Sequence, residues 1–113
     1  MGKIIIAGTK SGDVVEKDIE TITLETLQEA VDGYIEVAPL YDLKDFDIIT
    51  LVNEEGLLSG LDPNENLFPF FYVGNVVFVS VDGEDFTPLN DLQVKTVREY
   101  LKHLNKHSRT DES

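Results

Sequence analysis

Twenty-two carboxylates in 113 residues offer two kinds of chemistry, hard-cation binding and general acid/base catalysis. Asp42, Asp45 and Asp47 are clustered, and Glu54 and Glu55 are adjacent, so each group supplies oxygen donors of the type a cation needs. Asp62, Asn64 and Asn66 occupy the first three ligand spacings of a calcium loop, but Leu67 stands where that loop requires glycine and Val73 where it requires a bidentate acid. These stretches therefore read as solvated acidic loops, and no metal is expected. Two carboxylates remote in sequence remain compatible with acid/base work, but nothing in the spacing supports it, so a hydrolase or metal enzyme is the least favoured reading.

The other reactive side chains are few. His103 and His107 stand four apart with Glu99 one turn earlier, a helical face that suits a divalent metal. Both also fall in the last turns of the final helix, where cations meet the negative end of the helix dipole, and the structural reading is preferred. The GTKSG stretch, 8–12, has the composition of a phosphate loop without the four-residue spacer before Gly-Lys and without a following helix, so it reads as a hairpin turn. There is no cysteine, hence no thiolate and no disulfide, and no serine sits in a nucleophile-elbow context. No catalytic residue and no cofactor is assigned, and a non-enzyme is expected.

Phe68, Phe70, Phe71 and Tyr72 surround Pro69, and four aromatics in five residues exceed what one strand edge can bury on one face. They either close the end of the core or form a contact patch of the kind that anchors a protein or stacks on a base. The candidate interaction surface is thus Asp62, Asn64, Glu65, Asn66, Phe68, Phe70, Phe71 and Tyr72, with the acidic groups Asp42, Asp45, Glu54 and Glu55. A second reading, from another class, is a small-molecule or nucleotide binder that uses Asn53, Asn64, Asn66 and Asn75 near those aromatics. Few cations are available to meet phosphates.

The formal charge of −13 is unevenly placed. Residues 1–89 hold four lysines against eighteen carboxylates, a net of −14, while residues 90–113 hold five basic and four acidic groups, a net of +1. Such a body repels nucleic acid and anionic membrane, so direct nucleic-acid binding is not expected. It suits a basic protein partner. One form of that reading is mimicry of nucleic acid, since a domain-sized length of about 35 Å of duplex carries on the order of 20 phosphates. The favoured reading is a non-enzymatic protein that binds another protein through its acidic surface.

The elements that must position these groups belong to a chain that is 42% apolar, globular in composition and of single-domain length. MGKIIIAG is too short for a secretory segment, and no apolar run approaches a membrane span of about 18 residues, so a cytosolic protein is expected. Lys3–Ala7 and Val14–Ile19 read as a strand pair. Thr23 caps a helix of about nine residues with Leu24, Leu27 and Val31 on its apolar face, and Gly33 is placed to end it in the left-handed conformation. Strands are predicted at 34–37, 47–53, 57–61 and 74–81, the last as the central one, with an acidic connection over 42–47 and a brief strand at Phe86 and Thr87. Asn90 and Gln93 form a capping box, Leu89 and Val94 a hydrophobic staple, and Val94, Val97, Leu101 and Leu104 the stripe of a final helix. The expectation is one α+β domain over 1–107, a mostly antiparallel (mixed) sheet of five or six strands with two helices packed on it, and a frayed tail over 108–113.

With these stretches in view, LETLQEAVDGYIEVAPL (24–40), LVNEEGLLSGLDPNENL (51–67) and GNVVFVSVDGEDFTPLND (74–91) resemble the family called domain of unknown function 3846. The ordered combination of LQ, GYIE, NEEG and P-N carries the resemblance, which extends to about Leu104. It implies an accessory protein of phages, plasmids and the bacteria that carry them, hence a bacterial host cytosol and a host-protein partner. It brings no activity and no catalytic residues. Glu65 departs from the basic residue expected in many relatives, so an anionic ligand held by that position is not implied here, and FPFFY is particular to this chain.

Overall fold

Strands form where the β-branched residues run together, and the longest such run takes the centre of the sheet. The computed structural model describes the backbone of residues 2–112 and the side chains of residues 2–104. Gly2–Ala7 (β1) and Val14–Ile19 (β2) form a hairpin, followed by the helix Leu24–Val31 (α1), the short strand Ile35–Val37 (β3) and a single helical turn, Tyr41–Lys44 (α2). Ile48–Asn53 (β4), a 3-10 turn at Glu65–Leu67, Val76–Asp82 (β5), Asp85–Thr87 (β6) and the helix Asp91–Glu112 (α3) complete the order. The sheet runs β2-β1-β5-β4-β3, with β6 also paired to β5. Every strand pair is antiparallel, which makes the domain α+β.

Both faces of the sheet are covered. Val77 and Val79 of β5 join Ile4, Leu51, Leu27 and Val31 beneath α1. Val76 and Phe78 point the other way, into a larger cluster with Ile5, Ala7, Ile48 and Val52 and with Leu43, Leu67, Leu89, Val97, Leu101 and Leu104. Double coverage explains why β5 reads as a continuous apolar run instead of an alternating one. Phe78 is fully buried at the centre, where truncation to alanine is expected to cost about 3–5 kcal/mol.

The helix ends follow local chemistry. Thr23 Oγ1 accepts from the Thr26 N–H at 3.2 Å to start α1. Asn90 and Gln93 make the predicted capping box at α3, with Gln93 N–H to Asn90 Oδ1 at 2.8 Å and Asn90 N–H to Gln93 Oε1 at 3.0 Å. Gln93 does more than cap, because its Nε2 donates to Phe46 O and to Ser80 Oγ, both at 2.9 Å, tying α3 to the sheet. α3 is helical through Glu112, so the backbone continues through 108–112, where a tail was expected. The side chains there lie outside the described residues, as does Ser113.

Four expectations are corrected. Residues 57–60 form turns and Leu61 is irregular, so no strand spans 57–61, because β4 already has β5 on one side and β3 on the other and leaves no edge for them. Ser59 N–H bonds back to Glu55 O at 2.8 Å, and Gly60 leaves the turn at φ 69°. The 42–47 connection contains α2, whose Asp42 and Lys44 sit at the dipole ends that favour them while Leu43 is buried. Leu24 is exposed and does not belong to the buried face of α1. The left-handed residue that ends α1 is Asp32, at φ 58°, not Gly33; the paired bonds Asp32 N–H to Glu29 O and Gly33 N–H to Gln28 O close a Schellman motif. Gly33 is required for a different reason, because a Cβ there would lie 2.5 Å from Asn53 Nδ2.

Two substitutions separate these roles. Asp32→Gly removes left-handed strain and a negative charge from the negative end of α1, and is expected to raise stability by about 0.5–1 kcal/mol. Gly33→Ala displaces the Asn53 amide and is expected to destabilise by about 1–3 kcal/mol. Urea unfolding of both variants measures the pair.

Candidate interaction surface

The loop from Asp62 to Gly74 is closed at its base by Gly74 N–H to Asp62 O at 2.8 Å and by Asn64 N–H to Tyr72 O at 2.7 Å. Inside it, Asn64 Nδ2 donates to Ala7 O at 3.0 Å and to Gly74 O at 2.8 Å, and its Oδ1 accepts from Asn66 N–H at 3.0 Å. Asn66 Nδ2 donates to Gly8 O and Lys10 O, both at 2.8 Å, while its Oδ1 accepts from Gly12 N–H at 2.9 Å. Glu65 adds its N–H to Thr9 O at 2.8 Å and accepts from Ser11 N–H at 3.0 Å. The loop therefore acts as a clamp on the β1–β2 turn, with amide groups standing in for a neighbouring strand.

That clamp redraws the candidate set. Asn64 and Asn66 are buried and belong to the scaffold, not to the surface proposed for them. Asn53 Nδ2 caps the end of α1 through Val31 O at 3.1 Å and Asp32 O at 2.9 Å, and Asn75 Nδ2 donates to Ala30 O at 3.0 Å. All four asparagines of the nucleotide-binding reading thus donate to main-chain carbonyls. The amides of Ser11 and Gly12, which a phosphate loop would offer to a ligand, are engaged by Glu65 and Asn66. Glu65, where a basic residue was expected, serves the turn and approaches Lys10 at 3.9 Å. Lys3 bonds Asp18 at 2.7 Å, which raises its pKa through that hydrogen bond and the Asp18 charge, and Arg98 lies 3.4 Å from Glu16.

The aromatic segment is divided between inside and outside. Tyr72 packs against the larger core cluster, and its hydroxyl donates to Ala38 O at 3.1 Å. Phe68, Phe70 and Phe71 are exposed, Phe71 by 73%, and the Phe68–Pro69 peptide is cis. Beside Phe71 lies a hollow of about 400 Å³ lined by sheet residues Glu36, Ala38 and Val52, by Asn53, Glu54, Leu57 and Leu58, and by Phe71, Tyr72 and Val73. Leu58 is 91% exposed and Leu57 69%. The hollow unites Glu54, Phe71 and Tyr72 from the sequence-derived set. It does not include Asp42 and Asp45, which belong to α2 and its end, nor Phe68, Phe70, Asp62 or Glu55. Among the described residues, no three carboxylate or imidazole groups converge as a cation site would require; His107 lies outside them as a side chain.

Leu57, Leu58 and Glu36 were missed as site residues. The adjacent leucines carried a signal: on a strand, neighbours point to opposite faces, so a short edge segment could not have buried both.

Among the described residues, Thr50 Oγ1 and the Tyr100 hydroxyl are buried polar atoms without a hydrogen bond of good geometry, though the Tyr100 hydroxyl is within reach of Asp42. Burial first, and then the nearby Asp42 carboxylate, push the Tyr100 hydroxyl up to about 12; burial also raises that of Tyr72.

A family model described as Domain of unknown function (DUF3846) matches residues 2–104, a span that takes in the clamp, the hollow and all six strands. No curated protein and no solved structure matches the chain.

Asn66→Ala removes the side-chain partners of Gly8 O and Gly12 N–H and one of the two bonds to Lys10 O, which also accepts from Asp13 N–H, and is expected to cost about 2–4 kcal/mol, with faster amide exchange at Gly12 as the local readout. Tyr100 titrates near 10 when unfolded and at about 12 in the fold. Its neutral form is therefore favoured by folding, and that contribution is intact below about pH 10 and lost as pH rises towards 12. Tyr100→Phe is expected to lessen the alkaline loss of stability in urea melts while leaving stability at pH 7 within about 1 kcal/mol of the parent.

Proposed function

The chain belongs to the family described as Domain of unknown function (DUF3846), and from that premise we propose a non-enzymatic accessory protein of a phage or other mobile element, which binds a host protein in the bacterial cytosol. The observation that supports this reading is the hollow beside Phe71, where Leu57, Leu58 and Phe71 are exposed next to Glu36 and Glu54. Leaving several large apolar side chains in water around one depression is the pattern of an anchor site, which gains its stabilisation only when a partner covers it. The body around it carries four lysines against eighteen carboxylates over residues 1–89, so the partner is basic at the contact and long-range attraction speeds the encounter. Mimicry of nucleic acid is the finer form of the same reading, in which the partner's nucleic-acid site is the surface covered. The nucleotide-binding alternative has lost support, because its asparagine amides are already engaged.

The test compares the immobilised protein with a Leu58→Ser/Phe71→Ser variant in host lysate at low salt and at about 0.5 M salt. Both side chains are exposed, so the variant is expected to unfold within about 0.5 kcal/mol of the parent. The expected outcome is a basic protein retained at low salt by the parent and bound at least about tenfold more weakly, once purified, by the variant. Retention of the same proteins by both, or of none by the parent, overturns the proposal. Displacement of the purified partner by duplex DNA distinguishes mimicry from binding elsewhere on it.

A further inference from the structure

We propose that β3 is the docking strand of this surface, and that the occupant is an extended cationic segment of the partner, which adds to the open edge of β3 and lowers an apolar side chain into the hollow. This rests on the protein-binding reading above.

The geometry begins with hydrogen bonding. β3 ends the strand order, so only one of its edges is paired. Glu54 N–H donates to Tyr34 O at 2.8 Å and Ala38 N–H donates to Thr50 O at 2.9 Å, in the register that sets Ile35 opposite Asn53 and Val37 opposite Leu51. In an antiparallel ladder the paired groups alternate, so 34, 36 and 38 turn their main-chain groups to β4. Ile35 and Val37 turn theirs outward, offering about four main-chain bonds to an added strand.

The two edges of the sheet are built differently. β2, at the far end, presents Glu16, Lys17 and Asp18, exposed charges of alternating sign that discourage pairing. β3 presents Ile35 and Val37 with a single charge, Glu36, and the exposed Tyr34 precedes it. Such an edge carries one charge where β2 carries three, and its protection rests on its length of three residues and on Pro39 beyond it.

Continuity with the hollow decides what the added strand carries. Glu36 and Ala38 line the hollow, and side chains on a strand alternate between faces. Every second residue of an added strand therefore projects over the hollow, towards Val52, Leu58 and Phe71, and the intervening ones lie beside Ile35 and Val37. An apolar group fills the hollow, while Lys or Arg next to it meets Glu36 and Glu54.

Charge also selects against a second copy of this chain. Self-pairing through β3 would bring two sets of Glu36 and Glu54 together, on bodies that each have a large excess of carboxylates. A cationic segment removes that repulsion.

The test uses the full chain and a capped peptide of about seven residues alternating valine and lysine, an otherwise identical peptide N-methylated on the residues that face β3, and a valine–glutamate counterpart. The expected result is binding of the first peptide with slowed amide exchange at Ile35 and Val37, at least about tenfold weaker binding of the methylated one, and none of the acidic one. Leu58→Ser/Phe71→Ser is expected to weaken the first peptide. Equal binding of the methylated peptide overturns strand addition, while the host-protein reading stands if the lysate comparison succeeds. Failure of the first peptide when the purified host partner still binds overturns the extended-segment occupant alone. Equal binding of the acidic peptide overturns the charge argument, and a concentration-dependent dimer that protects the same two amides makes the occupant a second copy and overturns the proposal.

Discussion

Buried main-chain groups must be paired, and in this protein side-chain amides do much of the pairing where strands and helices stop. Asn66 holds three main-chain groups of the β1–β2 turn, Asn64 joins β1 to the start of β5, and Asn53 and Asn75 close the end of α1. The turn at 8–12 and the loop at 62–74 share one direct main-chain bond, Glu65 N–H to Thr9 O, and the side chains of Asn66 and Glu65 pair the groups around it. The arrangement is cooperative, because the Asn64 side chain also accepts from the Asn66 main chain and so orients the residue that makes the next set of bonds.

A scaffold fixed in this way leaves the site to be made by what is not covered. α3, α2 and the 3-10 turn lie over one face of the sheet and α1 over the other. The β3 end is where that covering gives out, and the turns at 54–60 and the segment 71–73 border the uncovered part instead. The same chain thus uses aromatic and aliphatic residues in two ways: Leu67 and Tyr72 fasten the loop to the core, while Phe71, Leu57 and Leu58 stay in water around the depression.

Much of this was legible in the sequence because it depends on local chemistry. β-branched runs marked β1, β4 and β5, Thr23 marked the start of α1, and Asn90 with Gln93 marked the start of α3. The misreadings have a common origin in partners distant along the chain. Leu57–Leu61 has strand composition, but β4, the strand it would fold back on, already has β5 and β3 as neighbours, and turns stand there instead. Gly33 looked like a helix terminator, whereas its missing Cβ makes room for Asn53, twenty residues on. Asn64 and Asn66 looked like ligand contacts because loop asparagines often are; only the approach of the 8–12 turn shows which carbonyls they serve. The acidic clusters were legible as charge and not as geometry, since spacing alone does not say that Glu54 borders a hollow and Asp42 does not.

The central place of β5 has a consequence for how the chain is made. β1 is made before its partners and finds β2 close by in sequence, but its second neighbour is β5, which spans residues 76–82 and is synthesised only after β2, β3 and β4. β4 waits for the same strand, and so does the apolar underside of α1. Until it arrives, the amino-terminal half holds a hairpin, a helix and an unpaired β4 edge with no core to bury them, the stage at which nascent chains associate wrongly or recruit chaperones. The late strand joins β1, β4 and the underside of α1 in one event, so the two halves of this protein share one sheet and are expected to fold together.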